Sequence, residues 1–161
     1  MKIAIVMGSK SDYPAIERAE EILKDFGIEF ETRIISAHRT PSAAEAFSKS
    51  AEAEGFEVII AAAGKAAHLA GVMAANTPLP VIGLPVKSST MDGLDSLLST
   101  VQMPKGVPVA TVAIDGAENA ALLAAQILSL KYPALREAMR EYKNKMEQEI
   151  IKADKEFQES K

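Results

Sequence analysis

The chain has 161 residues, a formal charge of −4 and no cysteine, a length that suits one domain able to bury about two-thirds of the surface its unfolded form exposes. Without cysteine, disulfides, thiolate nucleophiles and thiolate metal sites are excluded, and the 18 Lys and Arg are scattered rather than gathered into the basic patch of a nucleic-acid surface. The first apolar run breaks at Gly8-Ser9, far short of a signal-peptide core or a membrane span, so the expectation is a cytoplasmic chain with a small-molecule partner, no nucleic acid and no membrane.

Five apolar segments recur at intervals of roughly 25 to 30 residues, the length of a strand, a helix and their loops: Ile3–Met7, Phe30–Ile35, Val58–Ala62, Pro80–Val86 and Val107–Ile114. Four are near-continuous, as strands buried on both faces of a parallel sheet are, whereas Phe30–Ile35 mixes in polar residues like an edge strand. Helices fill the intervals. Asp12 and Pro14 open the first and Gly27 closes it. Thr40, Pro41 and a Ser42-x-x-Glu45 capping-box spacing open the second, with Gly55 at its end. Ala66–Ala75, Leu94–Val101 and Ala120–Leu130 complete the alternation. Beyond Tyr132-Pro133 the chain turns charged, with Leu135, Met139, Tyr142, Met146 and Ile150 forming one apolar helical stripe; this helix docks either on its own domain or on a neighbouring subunit. The expected organisation is one catalytic domain over 1–161, with an α/β core over 1–130 and a helical extension over 131–161.

Each unusual polar cluster follows a predicted strand: Gly8-Ser9-Lys10-Ser11-Asp12, Ser36-Ala37-His38-Arg39, Gly64-Lys65-Ala66-Ala67-His68, Lys87-Ser88-Ser89 and Asp115-Gly116-Ala117-Glu118-Asn119. In open parallel sheets ligands bind along that edge. The first cluster presents amides and hydroxyls at a helix N-terminus, which suits a phosphate, though a lone S-x-S-D is more often Ser11 or Asp12 merely capping the helix. It is neither a Walker loop nor G-x-G-x-x-G, so a triphosphate or dinucleotide is not indicated. Asp12 is also placed to accept from ribose hydroxyls. Arg39 suits bidentate phosphate binding. A cation and a helix N-terminus beside His38 disfavour imidazolium, so the expectation is a neutral ring able to accept a proton, against the alternative of a capping histidine. His68 is the only other histidine, read as contacting substrate or ordering its loop, and two histidines without a third ligand do not make a metal site.

In order and density, MGSKSD, SAHRTP, the AAHL after Gly64, TPLPVIGLPVKSSTMDGLDSLLSTVQMPKGVPVATVAI and NAALLAAQIL closely resemble the N5-carboxyaminoimidazole ribonucleotide mutase family of purine biosynthesis, from Ile3 to about Leu130. The resemblance implies a three-layer α/β/α, flavodoxin-like fold with a parallel five-stranded sheet, and a homo-octamer whose neighbours complete each site. It implies an isomerase that moves a carboxylate from the exocyclic nitrogen of its ribonucleotide to ring carbon, giving 4-carboxy-5-aminoimidazole ribonucleotide, with no metal, biotin, ATP or other cofactor. Ser9, Asp12 and Arg39 match the ribonucleotide-binding set, with Ser11 and Ser36 beside the phosphate. His38 matches the proton-transfer residue, and Gly64, His68 and Leu69 fall in the loop around the imidazole.

The AAHL pattern also points to the mutase rather than to the branch that carboxylates aminoimidazole ribonucleotide with CO2 directly. Against the usual GAGGAAHLPG, this chain carries Ala62, Lys65 and Ala70; if position 65 needs a positive φ, lysine there costs on the order of 1 kcal/mol. The chemistry expected is loss of CO2 from an N-carboxylate whose charge leaves water, recapture by ring carbon, and removal of the carbon-bound proton by His38. Two readings from other classes remain. A non-catalytic nucleotide-binding or receiver-like module would want an aspartate where the third strand ends Ala61-Ala62-Ala63-Gly64, and a Schiff-base lyase would use Lys65 or Lys87.

Overall fold

The computed structural model describes all 161 residues. Five strands, β1 (Lys2–Met7), β2 (Glu29–Ile34), β3 (Val58–Gly64), β4 (Val81–Val86) and β5 (Ala110–Thr111), alternate with α1 (Tyr13–Asp25), α2 (Pro41–Ser50), α3 (Leu69–Ala75), α4 (Leu94–Val101) and α5 (Ala117–Leu128), and α6 (Pro133–Glu159) follows. The strands form one parallel sheet in the order β2-β1-β3-β4-β5, the flavodoxin-like order. Because side chains alternate along a strand, β1 sends Ile3, Ile5 and Met7 into one core with α1 and α5, and Ala4 and Val6 into a second with α2 and α3. Val58, Ile60 and Ala62 of β3 divide from Ile59 and Ala61 in the same way.

Small residues let the helices approach closely. Ala117, Ala120, Ala121, Ala124 and Ala125 of α5 are all buried against the sheet. A Cβ at Gly83 would fall 2.3 Å from Thr100 Cγ2, so α4 lies on β4 only because position 83 carries no side chain. Gly27 and Gly55 turn the chain after α1 and α2 at φ +64° and +84°, as the sequence requires. No helix is long and apolar enough to cross a membrane.

Three expectations are corrected. The fifth segment is not a long strand buried on both faces: only Ala110 and Thr111 pair, with Ile82 and Gly83. Pro108 has no N–H to donate and β5 is a second edge of the sheet, half exposed. Pro85 is tolerated in β4 for the same reason. Its carbonyl accepts from Asp115 N at 2.9 Å, beyond the last β5 pair, so its missing N–H removes no ladder bond. The Ser42-x-x-Glu45 capping box does not form either. Thr40 is the N-cap residue of α2, its hydroxyl is turned back to the Ser36 backbone, and Glu45 pairs with Lys49. Third, α3 begins at Leu69 rather than Ala66, because Lys65 is left-handed and the Lys65 and Ala66 carbonyls accept from Ala67 and His68 in tight turns.

Candidate active site

At the carboxyl ends of β1 to β4 the loops enclose an open cavity of about 690 Å³, where the sheet order reverses between β1 and β3 and a cleft is left between the crossovers. After β1, Ser9 Oγ accepts from Ser11 N (3.3 Å) and from Ser11 Oγ (2.9 Å), so both hydroxyls sit in one short turn with Ser9's own proton free for a ligand. Asp12 is the N-cap residue of α1 but makes no side-chain cap bond, so its carboxylate faces the cavity rather than the helix. Burial pushes the Asp12 carboxyl above its ordinary range, against the opposing pull of the Ser9 backbone and the Arg39 charge.

After β2 the chain makes a tight turn, Thr40 N donating to Ser36 O at 2.8 Å. Ser36 Oγ accepts from Arg39 N and Nε, and Arg39 Nη2 donates to Gly8 O at 2.7 Å. The guanidinium is thereby tied to two loops at once, which orients its fork before any anion arrives. His38, with Thr40 as the cap of α2, caps nothing.

After β3, Gly64 lies close against β4, where a Cβ would make a tight contact 3.3 Å from Val86 O. Lys65 holds φ +55°, which is the conformation the sequence flagged as costly for a lysine. His68 stands at the start of α3 without a side-chain cap bond and reaches the other histidine: His38 Nε2 and His68 Nδ1 are 2.9 Å apart, ring centroids 4.9 Å and planes 78°. Leu69 lines the cavity floor while 2 % exposed, anchored in the second core.

All nine site residues read from the sequence, Ser9, Ser11, Asp12, Ser36, His38, Arg39, Gly64, His68 and Leu69, line this one cavity. The sequence reading sets Lys87 and Ser88 on the ligand edge but outside the substrate-binding set, and the structure brings both into the cavity after β4, together with Gly8 and Val86. The fifth cluster does not reach the cavity: Asp115, at φ +55°, instead accepts from Lys87 N at 2.8 Å and holds that loop from behind. Lys87 Nζ pairs with Asp92 at 3.3 Å, while Lys65 has no acidic partner. No three His, Asp or Glu side chains converge as a metal site would need.

The AIR carboxylase family model matches residues 2–149. The chain belongs to that family. It is 57% identical over 150 residues to the N5-carboxyaminoimidazole ribonucleotide mutase of Thermotoga maritima, covering 93% of this chain and 88% of that one. To the mutase of Pyrococcus abyssi it is 57% identical over 145 residues, covering 90% and 83%. The crystal structure of Treponema denticola PurE superposes with a TM-score of 0.88 at 33% identity, over 96% of this chain and 97% of that one. The α/β frame is thus shared with that structure over nearly its full length.

Proposed function

We infer that this chain is an N5-carboxyaminoimidazole ribonucleotide mutase of purine biosynthesis, as its relatives at 57% identity are. The observation that carries the residue assignments is the meeting of an oriented guanidinium, two serine hydroxyls, a half-buried carboxylate and two imidazoles around one cavity large enough for a nucleotide. Arg39 with Ser9, Ser11 and Ser36 binds the phosphate, and Asp12 accepts from the ribose hydroxyls. Gly64, His68 and Leu69 surround the imidazole, and His38 carries the proton. The wall of Ala63, Gly64 and Ala66 carries no charged side chain, and with neighbouring copies closed over this open cavity it favours loss of CO2 and holds it beside the ring carbon that recaptures it. The binding-module and Schiff-base readings have no comparable support.

The homo-octamer is part of the same proposal, supported by the exposed apolar side chains of α4 (Leu94, Leu98, Val101) and of the far half of α6 (Ile150, Phe157). So is a cytoplasmic setting, since a phosphorylated nucleotide does not cross a bilayer unaided. The test supplies N5-carboxyaminoimidazole ribonucleotide, or aminoimidazole ribonucleotide with bicarbonate, after exhaustive EDTA treatment and without ATP. Conversion of the first at full rate is expected. Conversion of the second alone would place the chain with the direct carboxylases, and loss of turnover with EDTA would contradict the metal-free reading.

A further inference from the structure

His38 and His68 leave different strands and meet ring to ring, with Nε2 of the first 2.9 Å from Nδ1 of the second. A contact that short between ring nitrogens is a hydrogen bond in which one nitrogen carries the proton and the other offers a lone pair. The outer nitrogens, His38 Nδ1 and His68 Nε2, bond to no protein group, and no carboxylate touches either ring, so each imidazole is oriented by the other. Both rings line the cavity, with Asp12, Arg39, Lys65 and Lys87 as the other charged groups around it.

We propose that His38 and His68 act as one two-ring proton relay, so that His68 is a second catalytic acid–base residue of carboxylate transfer. The inference rests on the mutase reading, because proton balance gives the relay its task. When the C–N bond of the N-carboxylate breaks, the bonding pair stays on nitrogen, CO2 leaves, and the nitrogen takes a proton from the relay. The ring carbon then spends its π pair on a new C–C bond to CO2. The tetrahedral carbon gives its hydrogen to the relay as a proton, and the C–H pair restores the aromatic ring. One proton leaves and one returns, with no oxidant, reductant or co-reactant. Nitrogen and carbon lie two bonds apart, and a single ring nitrogen would have to serve both. The relay has two outer nitrogens, and a shift of the shared proton along the Nε2···Nδ1 contact makes a loss at one available to a gain at the other.

The test is His68→Asn, whose amide sits where Nδ1 does and keeps the bond to His38 but carries no proton near neutral pH. Turnover of N5-carboxyaminoimidazole ribonucleotide is expected to fall roughly 10²-fold or more, with affinity for the aminoimidazole ribonucleotide unchanged within a few-fold. The His38→Asn, His68→Asn double variant is expected to be no slower than His38→Asn alone, because the pair acts as a unit. Turnover of His68→Asn within threefold of wild type would overturn the relay and leave His68 a positioning residue; a parallel loss of affinity would make it a binding residue. A second readout needs no variant: in ¹⁵N-histidine-labelled wild type, a through-bond coupling between His38 Nε2 and His68 Nδ1 is expected, and its absence would remove the contact on which the relay stands. Failure of wild type itself to convert the substrate would overturn the mutase reading, and that result is distinct from all of these.

Discussion

Burial raises the Asp12 carboxyl above 3.8, and the Ser9 backbone and Arg39 charge only partly offset it. A raised folded pKa means that the ionised carboxylate is less favourable in the fold than in the unfolded chain, so stability present below pH 3.8 is lost as pH rises through the folded value. Asp12→Asn should therefore melt at a higher temperature than wild type at pH 7.5, with the difference closing as pH falls toward 4, while ribonucleotide affinity drops. That exchange of stability for function is common at binding sites. Calorimetric scans at both pH values test it, and a lower melting point for the variant at pH 7.5 would show that Asp12 stabilises the fold. Lys65 shows the same trade in backbone form. At φ +55° a side chain costs about 1–2 kcal/mol and glycine would recover that less its own chain entropy of about 0.5–1 kcal/mol. Lys65→Gly should then raise the melting midpoint by roughly 1–3 °C, whereas Lys65→Ala, which keeps the Cβ, should not. Equal midpoints for the two variants would mean that the backbone there is unstrained.

At the scale of elements, Glu57 at the entrance to β3 joins distant parts of the chain. Its carboxylate accepts from Lys131 Nζ at 2.7 Å and Tyr132 OH at 2.8 Å and lies 3.7 Å from the N-terminal amine, pinning the α5–α6 turn to the foot of the sheet. Burial alone would raise this carboxyl, but the Lys131 and Tyr132 bonds outweigh it and hold it below its ordinary 4.5. A lowered folded pKa gives stability that is present above pH 4.5 and lost as pH falls through the folded value. Glu57→Gln should melt about 2 °C lower than wild type at pH 7 and match it near pH 3; a pH-independent difference would mean that shape rather than charge matters there. These elements were legible in the sequence to different depths. Leu94–Val101 is read to the residue because Gly93 before it and Pro104 after it punctuate a clear helical stripe. β5 was overread because apolar composition reports burial and cannot show that only one neighbour and a proline-broken ladder await that segment. All five clusters were placed on the right edge, yet the meeting of His38 with His68 was invisible. They are 30 positions apart, and only the β1–β3 pairing that sets β2 and β3 on either side of β1 brings them together.

At the scale of the whole molecule, α6 is the element that one chain cannot account for. Its 27 residues span about 40 Å at 1.5 Å per residue. Leu135 and Met139 are buried in the first core, which realises the reading of a helix docked on its own domain for two turns. Thereafter Met146 is 43% exposed, Ile150 72% and Phe157 56%, so the stripe continues past the surface that would bury it. On α4, Leu94, Leu98 and Val101 are exposed at helical spacing, and β5 leaves a short open edge with Thr111 Oγ1 buried and without a partner. An isolated helix this polar gains little from propensity alone and needs tertiary packing to persist. The octamer proposed for this chain supplies that packing from neighbouring copies. Wild type should therefore sediment as one species of about eight chains at micromolar concentration, and Ile150→Asp, which sets a charge in the middle of the stripe, should shift it toward smaller assemblies without unfolding the α/β core. A wild-type monomer would remove both the octamer and the sharing of sites between copies. An Ile150→Asp octamer of undiminished stability would instead leave assembly to α4 and the β5 edge, with the far half of α6 exposed in the assembled protein as it is in the single chain.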